Sequence, residues 1–408
     1  MQKHAIAGLL GLALAMGVGR FAFTPLLPLM KADAGLGIAD GAWLAAANYS
    51  GYLVGALAAL AVGGRASTWI RAALVTTAAA TLGMGLTDGL TAWLALRWVA
   101  GFASAFLLVF ISAWSLERVG ERPLLGATVF SGVGAGIFVV GVLCLAAERL
   151  GIGSSGAWIV LGVLSGLLSA GLLRAFSGGE VETPARAQRS PQVTAVSAWR
   201  LIACYGLFGF GYIIPATFLP VMGRGLGDAW VNAWSWPMFG LAACLSTFFA
   251  ARIGAKAPGM KVWRIAQAAM ALGIVLPALT SAPAALAIVA SALCVGGTFM
   301  VVTMVGMQVA KQYGGIAARR LMAAMTAAFA TGQLSGPLTV PYAVGSGGDF
   351  STILLVATAA LVLGICLLPL DGKRRVSRAL REQESRRAGG AGAEPAACAA
   401  TPHRKGNI

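Results

Sequence analysis

Long runs of apolar residues with almost no charge follow one another along most of this sequence, and they restrict its fold more than any other feature. The hydrocarbon core of a bilayer requires about 20 apolar residues per helix. Because lipid offers no hydrogen-bond partners, a chain that crosses it must form helices or a closed barrel. The runs lack the apolar–polar alternation of barrel strands. The sequence therefore predicts an all-α integral membrane protein.

Charged residues and Gly- or Pro-containing breaks between the runs predict twelve transmembrane helices. Their approximate bounds are 4–29, 41–62, 71–87, 91–115, 124–147, 156–176, 199–222, 230–251, 262–281, 284–310, 319–343 and 351–369. A long polar stretch separates the first six from the last six. We therefore expect an N-terminal six-helix bundle at 1–176, a cytoplasmic linker at 177–198, a C-terminal six-helix bundle at 199–370 and a basic, disordered cytoplasmic tail at 371–408.

The distribution of positive charge explains the net charge of +16 without a nucleic-acid partner. When the N-terminus is placed in the cytoplasm, Lys and Arg concentrate in the predicted cytoplasmic segments, whereas the outer loops hold only Lys31, Arg149 and Arg224. This is the asymmetry that the positive-inside rule describes. It predicts a multi-pass protein of the bacterial inner (plasma) membrane, with both termini in the cytoplasm and membrane lipid around its helices.

The two predicted halves share two short similarities. Residues 17–30, GVGRFAFTPLLPLM, resemble residues 209–222, GFGYIIPATFLPVM, and the pair Gly132 and Gly136 resembles the pair Gly332 and Gly336. These similarities place the first and fifth predicted helices opposite the seventh and eleventh. Internal repeats related by a two-fold axis are typical of secondary transporters, so a 6+6 pseudo-two-fold architecture is expected.

Arg20 lies near the middle of the first predicted helix and is the strongest sign of a binding site. An arginine at the centre of a membrane helix costs about 2.5–3.5 kcal/mol even on lenient insertion scales, so it should face protein or a wet cavity. One interpretation is a fixed cation that binds an anionic group of a substrate. The alternative is a structural arginine that ties the first helix to backbone carbonyls of a neighbour.

Seven further residues in the predicted helices are candidates for the same substrate site, because a buried hydroxyl, amide or guanidinium needs a partner. They are Thr24, Asn48, Tyr52, Arg97, Tyr205, Tyr212 and Gln333. The helical spacing of the tyrosines is also typical of ordinary packing. No acidic residue falls at membrane depth, so Asp40, at the outer start of the second predicted helix, is the candidate for ion coupling; its alternative role is that of a solvated loop residue.

Catalysis, cofactors and metal binding are not expected. The two histidines, His4 and His403, lie close to the termini, and the six cysteines are far apart without the spacing of metal ligands. A phosphate-binding loop of the ATPase type is also missing, which argues against an ATP-driven pump.

The residues around Arg20 resemble the first-helix signature of the YbfB/YjiJ family of major facilitator transporters. The resemblance consists of GVGRF at 17–21 and PLLPLM at 25–30, together with NYSGYLVG at 48–55. The sequence RWVAGFASA at 97–105 is similar to the fourth-helix motif of the superfamily, R-x-x-x-G-x-x-x-A. The resemblance covers residues 4–369. It implies a transporter of the 6+6 type but supplies no substrate.

Two departures weaken the analogy with drug:proton antiporters of that superfamily. The stretch GGRASTWIR at 63–71 lacks the acid and most of the basic residues of the usual loop motif between the second and third helices. In addition, Ile137 follows Gly136 where the antiporter motif has a proline, and the G-x-x-x-G-P form occurs at 332–337 instead.

These observations together predict a secondary active or facilitative transporter that moves a small organic solute by alternating access. The buried arginines favour an anion as the substrate, and a proton or other ion as a possible partner stays open. The alternative is a proton-coupled exporter of drugs or metabolites, which the aromatic spacing favours. A membrane sensor or enzyme is an alternative of another class, and the sequence offers neither an output domain nor a catalytic cluster for it.

Overall fold

Every regular element in the described part of the chain is a helix. The structure is a computed structural model, and it describes residues 1–62, 65–120, 122–176, 195–253, 258–279, 284–314, 318–344 and 349–369. Residues Met1–Leu368 form one compact unit, to which the description below applies. Most of the predicted linker, 177–194, and the predicted tail lie outside the described residues.

The helices follow the predicted segments in order and mostly extend a few residues beyond them. They are α1 (Gln2–Leu12), a π-helix (Ala13–Val18), α2 (Phe23–Asp33), α3 (Ile38–Ala61), α4 (Ala66–Leu86), α5 (Leu90–Val119), α6 (Pro123–Arg149), α7 (Ser154–Ala175), α8 (Ala195–Gly225), α9 (Ala229–Ile253), α10 (Gly259–Leu279), α11 (Ala284–Gly314), α12 (Ala318–Val344) and α13 (Ser351–Leu367). Helix α8 begins at Ala195, four residues before the predicted start of the seventh helix at residue 199.

Eight segments within the described residues are long and apolar enough to cross a bilayer. They are Gln2–Asp33, Ala66–Leu86, Leu90–Val119, Pro123–Arg149, Ser154–Ala175, Ala198–Gly225, Gly259–Leu279 and Ala284–Ala310. The shorter helix α13 is apolar as well. The prediction of an all-α fold with several helices able to span a membrane is therefore confirmed for the described residues.

The first span differs from the prediction of one continuous helix at 4–29. The amide of Gly19 donates to the carbonyl of Leu14 and that of Phe21 to Met16, at 3.0 and 2.9 Å, so these bonds reach back five residues instead of four. The amide of Thr24 then donates to the carbonyl of Phe21, three residues back, at 3.2 Å. In a regular α-helix that amide would bond to Arg20. The break therefore leaves the carbonyl of Arg20 to be satisfied by another group.

Glycines allow the helices around this span to approach closely. A Cβ atom on Gly132 of α6 would lie 2.1 Å from the carbonyl oxygen of Leu9, and one on Gly332 of α12 would lie 2.2 Å from that of Gly206 in α8. Small residues at such contacts are typical of membrane helix pairs. The glycine similarity seen in the sequence therefore corresponds to two equivalent close contacts, α6 against α1 and α12 against α8.

Helices α1–α7 with the π-helix form a first group, and helices α8–α13 form a second group. The pairs of helices that pack together in the first group recur in the second. Helix α3 packs along α5 as α9 packs along α11, and α4 packs along α7 as α10 packs along α13. Two further contacts, α6 with α9 and α3 with α12, connect the groups. These connections bring the first span, α3, α8 and α12 together around Arg20.

Candidate functional site

Arg20 lies in the irregular turn between the π-helix and α2, and its side chain is almost completely buried, with 2% of its surface exposed. Three aromatic rings surround its guanidinium. The Cζ atom is 4.1 Å from the ring centre of Tyr52, 5.2 Å from that of Tyr49 and 5.4 Å from that of Phe21. Such cation–π contacts partly compensate a buried charge but do not neutralise it.

A chain of hydrogen bonds leads from Arg20 to α12 and α8. The Nη2 atom of Arg20 donates to Oε1 of Gln333, and Nε2 of Gln333 donates to the hydroxyl of Tyr212. Gln333 is completely buried. The Nε atom of Arg20 is buried too and has no hydrogen-bond partner among the described residues. The structure therefore brings three of the predicted site residues, Arg20, Tyr212 and Gln333, into one connected group.

Arg97 and Asn48 contact the same region through its backbone. Nη2 of Arg97 donates to the carbonyl oxygen of Arg20 at 3.1 Å, and Nδ2 of Asn48 donates to the carbonyls of Gly19 at 3.1 Å and Arg97 at 2.9 Å. Both side chains thus satisfy carbonyls in or beside the broken first span. Arg97 thus makes the kind of contact, from a guanidinium to a backbone carbonyl of a neighbouring helix, that the structural alternative for Arg20 would require.

The first span also contacts α8 at residues that the sequence similarity makes equivalent. The hydroxyl of Thr24 donates to the carbonyl of Ala216, 192 positions later, at 3.1 Å. This is the same offset that relates 17–30 to 209–222, and it also relates Arg20 to Tyr212. Gln333 therefore lies between two equivalent positions of the repeat and bonds to both.

Tyr49 belongs to the site although the sequence analysis did not single it out. Its hydroxyl donates to Oγ1 of Thr217 in α8 at 2.9 Å, while Thr217 donates to the carbonyl of Ile213. The available signal was a tyrosine hydroxyl inside an apolar segment, which needs a partner as much as that of Tyr52 does.

One side of the site is formed by five aromatic rings in mutual contact, which we call the aromatic cluster. Its members are Tyr205, Phe208, Tyr212, Phe299 and Phe329. The ring of Tyr212 is nearly parallel to those of Phe299 and Phe329, with centroid distances of 5.7 and 5.6 Å. Tyr205 packs against Phe208, Phe329 and Trp263. The predicted residues Tyr205 and Tyr212 thus line the cluster, and Tyr212 alone of the two bonds to Gln333.

Carboxylates of the described residues make their contacts away from Arg20. Asp33 accepts hydrogen bonds from Ser154, and Glu148 forms an ion pair with Arg224. Asp40 accepts from the amide of Gly37 at 3.0 Å and caps α3. Within the described residues, neither Arg20 nor Arg97 forms an ion pair with a carboxylate. Arg20 and Arg97, which contact each other through the carbonyl of Arg20, are therefore both buried without a carboxylate partner from the described part of the chain.

A cleft of about 540 Å³ lies beyond the end of α2, and we call it the Lys31 cleft. Its lining includes Pro28, Lys31, Ile38, Arg224, Asp349 and Leu354. Next to it, Arg224 donates to the carbonyl of Pro28 at 3.0 Å and pairs with Glu148 at 2.5 Å. These contacts join α8 to α2 and α6 between the cleft and a small cavity that Cys144 lines.

Comparison with known proteins places this geometry in a family. The sequence profile described as "uncharacterised MFS-type transporter YbfB" matches residues 12–369. A crystal structure of the nucleoside transporter NupG, a point mutant, superposes with a TM-score of 0.69 at 14% identity, over 90% of this chain and 99% of the other. Comparison with functionally curated proteins finds no significant match. The structural similarity supports the fold of a major facilitator protein, and the sequence match shows that this chain belongs to the YbfB-type family of major facilitator transporters.

Proposed function

We propose that this transporter carries a small organic anion and that Arg20 binds the anionic group of that substrate. One observation carries the proposal: a buried guanidinium at the centre of the first span whose polar side-chain partners among the described residues, Gln333 and the hydroxyl of Tyr52, are neutral. A buried charge without a counter-charge is unfavourable by several kcal/mol. Arg97 lies beside it and adds a second positive charge. An anion at this point would offset both charges.

The other site residues take different roles in this proposal. Tyr52, Tyr212 and Gln333 lie around the guanidinium of Arg20, where the anionic group would bind, and Thr24 and Tyr49 belong to the contact with α8. Arg97 and Asn48 donate hydrogen bonds to backbone carbonyls of the first span. The aromatic cluster, which includes Tyr205, suits a flat apolar portion of the substrate.

We further propose twelve spans arranged as two six-helix halves, at 1–176 and 199–370, that rock to give alternating access. The recurring helix pairs support this arrangement. Helices α3, α9 and α12 have 24, 25 and 27 residues, which at about 1.5 Å per residue exceed the bilayer core of about 30 Å. The positive-inside rule supports cytoplasmic termini in a bacterial inner membrane.

Ion coupling is assigned, within this proposal, to Asp40. The residue lies in the first turn of α3, and the same helix carries Asn48, Tyr49 and Tyr52 at the site. Transport by the Asp40→Asn variant should lose its dependence on a proton gradient if the assignment is correct, whereas a variant with unchanged dependence would remove Asp40 from the mechanism.

Export of flat apolar or cationic compounds is the second candidate function, because the aromatic cluster would favour it. The similarity to NupG adds a nucleoside to the compounds worth testing, since that neighbour is named for its transport of nucleosides. Neither compound class carries a negative charge that would pair with Arg20, so an organic anion is our preferred substrate class.

A thermal-shift screen of the detergent-purified protein tests the proposal, with organic carboxylates, their neutral amides, organic cations and nucleosides as ligands. A ligand at 100 times its dissociation constant should stabilise the protein by about 2.7 kcal/mol. We expect shifts with carboxylates only, and none in the Arg20→Gln variant. Arg200, exposed beside Trp199 at the start of α8, provides the matched control Arg200→Gln.

Uptake into proteoliposomes then checks that a stabilising carboxylate is transported. Stabilisation by cations or nucleosides that persists in Arg20→Gln would reject the anion proposal and support the second candidate.

A further inference from the structure

We infer that the side-chain amide of Gln333 is an internal substitute for the substrate's anionic group, which a carboxylate displaces from Arg20 on binding. This inference rests on the proposed function and adds the residue that sets the affinity for anions. In this inference the amide of Gln333 competes with the substrate for Arg20, whereas an ordinary ligand residue would bind the substrate.

The orientation of the amide follows from the chemistry of its two partners. A guanidinium group only donates hydrogen bonds, so Gln333 must direct its oxygen toward Arg20. Its nitrogen then faces Tyr212, whose hydroxyl oxygen accepts the bond. The rings of Phe299 and Phe329 pack against the ring of Tyr212 and lie nearly parallel to it. The amide oxygen is therefore held on Arg20 in the position that one oxygen of a carboxylate would take.

An amide is suited to this role because its hydrogen bond to Arg20 is weaker than an ion pair. The amide carries no net charge and leaves the charge of Arg20 uncompensated, whereas a carboxylate offsets that charge and can accept two parallel N–H···O bonds from the guanidinium. A glutamate at position 333 would neutralise Arg20 permanently. The neutral amide satisfies a buried donor, but a substrate carboxylate can replace it and can also reach the unpaired Nε of Arg20.

Displacement of the amide would change a contact between the two groups of helices. Arg20 belongs to the first span, whereas Gln333 and Tyr212 belong to α12 and α8. The bond from Arg20 to Gln333 therefore connects the groups at the site itself. When the substrate breaks this bond, one contact between the two groups of helices is lost. Alternating access requires these groups to move relative to each other.

The substrate-free test is a double-mutant cycle on melting temperature with Gln333→Glu and Arg20→Gln. We expect Gln333→Glu to raise the melting temperature of the wild type, since it supplies the missing carboxylate. In the Arg20→Gln background the same change should lower it, because the buried carboxylate then lacks the guanidinium with which it would pair. Equal effects of Gln333→Glu in both backgrounds would overturn the inference.

The second test uses benzoate and its neutral isostere benzamide with the Gln333→Met variant, which keeps the side chain's length but removes the competing acceptor. The benzoate concentration for a half-maximal thermal shift should fall about tenfold relative to the wild type, which corresponds to about 1.4 kcal/mol. Benzamide should stabilise neither protein. Gln267→Met is the matched control, since Gln267 is an equally buried glutamine in α10 that bonds to Trp263 and Leu361.

The outcomes separate this inference from the function on which it rests. A benzoate shift in the wild type that Gln333→Met leaves unchanged or weakens would overturn the inference alone. The absence of a benzoate shift from both proteins, while a cation or nucleoside stabilises them, would reject the proposed function and the inference with it.

Discussion

The Nη2 atom of Arg97 lies 3.1 Å from the carbonyl oxygen of Arg20, so that one buried arginine supports the backbone of another. The contact exists because the amide of Thr24 bonds to Phe21 and leaves the carbonyl of Arg20 without its helical partner. The guanidinium of Arg97 also lies 4.9 Å from the ring of Phe23. The two arginine side chains therefore make different contacts, that of Arg97 to the backbone and that of Arg20 to Gln333.

The first prediction concerns the different contacts that Arg20 and Arg97 make. Replacement of Arg97 by Met should lower the stability of the purified protein by about 1–3 kcal/mol, because it leaves a buried carbonyl without a donor. Arg97→Lys should recover part of the loss, since a lysine still donates. The measurement is the unfolding midpoint in detergent, followed by tryptophan fluorescence. A fully stable Arg97→Met protein that fails to bind anions would instead place Arg97 in the binding site.

The second prediction concerns the contact between α3 and α5. A Cβ atom at Gly101 would lie 2.0 Å from the carbonyl oxygen of Asn48, a backbone atom that cannot move without its helix. Gly101→Ala should therefore force the helices apart and destabilise the protein by about 1–3 kcal/mol, as overpacking does elsewhere. The same unfolding assay measures this loss.

Gly166 of α7 provides the matched control for that substitution. A Cβ atom there would meet no heavy atom of the described residues within 4 Å. Gly166→Ala should leave the midpoint unchanged or raise it by up to about 1 kcal/mol, since alanine favours a helix. Equal midpoints for the two variants would show that α3 and α5 are not in close contact at Gly101.

Some features of the site were predictable from the sequence because they follow from the absence of water in a bilayer. Arg20, Tyr212 and Gln333 are polar groups in apolar segments, and each was expected to face inward. The pairing of Arg20 with Gln333 was not predictable, because the residues are 313 positions apart and helical periodicity gives a face but no partner.

The break in the first span was also not predictable. Gly17 and Gly19 indicate local flexibility. No sequence pattern predicts the hydrogen bonds that reach back five residues to the carbonyls of Leu14 and Met16. The roles of Arg97 and Asn48 depend on that break, because it creates the free carbonyls that they satisfy. Their role as backbone partners could therefore be recognised only from the structure.

The third prediction concerns Tyr49 and the contact between α3 and α8. Tyr49→Phe removes the hydroxyl that donates to Thr217 but keeps the ring 5.2 Å from the guanidinium of Arg20. We expect a loss of about 0.5–1.5 kcal/mol in stability, the usual net contribution of one hydrogen bond, with carboxylate binding retained. Tyr49→Leu removes the ring as well and should also weaken binding. Thermal shifts with and without a carboxylate separate the two effects, and identical binding losses in both variants would contradict the assignment.

The fourth prediction concerns the ion pair of Glu148 and Arg224 beside the Lys31 cleft. The two side chains are partly exposed, so the pair should contribute only about 0.2–1 kcal/mol to overall stability. The location of this ion pair is more important than its contribution to stability, since the pair joins α6 to α8 next to the small cavity that Cys144 lines. In protein whose other cysteines are replaced, Glu148→Ala should therefore speed maleimide labelling of Cys144 by up to about fivefold, the ratio that 1 kcal/mol allows.

The matched control for this labelling experiment is Glu117→Ala, which breaks the exposed ion pair with Arg118 near the end of α5. That change removes the same charge from the surface but lies on a different helix from the Cys144 cavity, so the labelling rate should stay at the wild-type value. If both variants accelerate labelling equally, the cause is a general loosening of the protein. If neither does, the contact of Arg224 with Glu148 does not restrict access between α2, α6 and α8, and the bond from Arg224 to the carbonyl of Pro28 becomes the contact to break next.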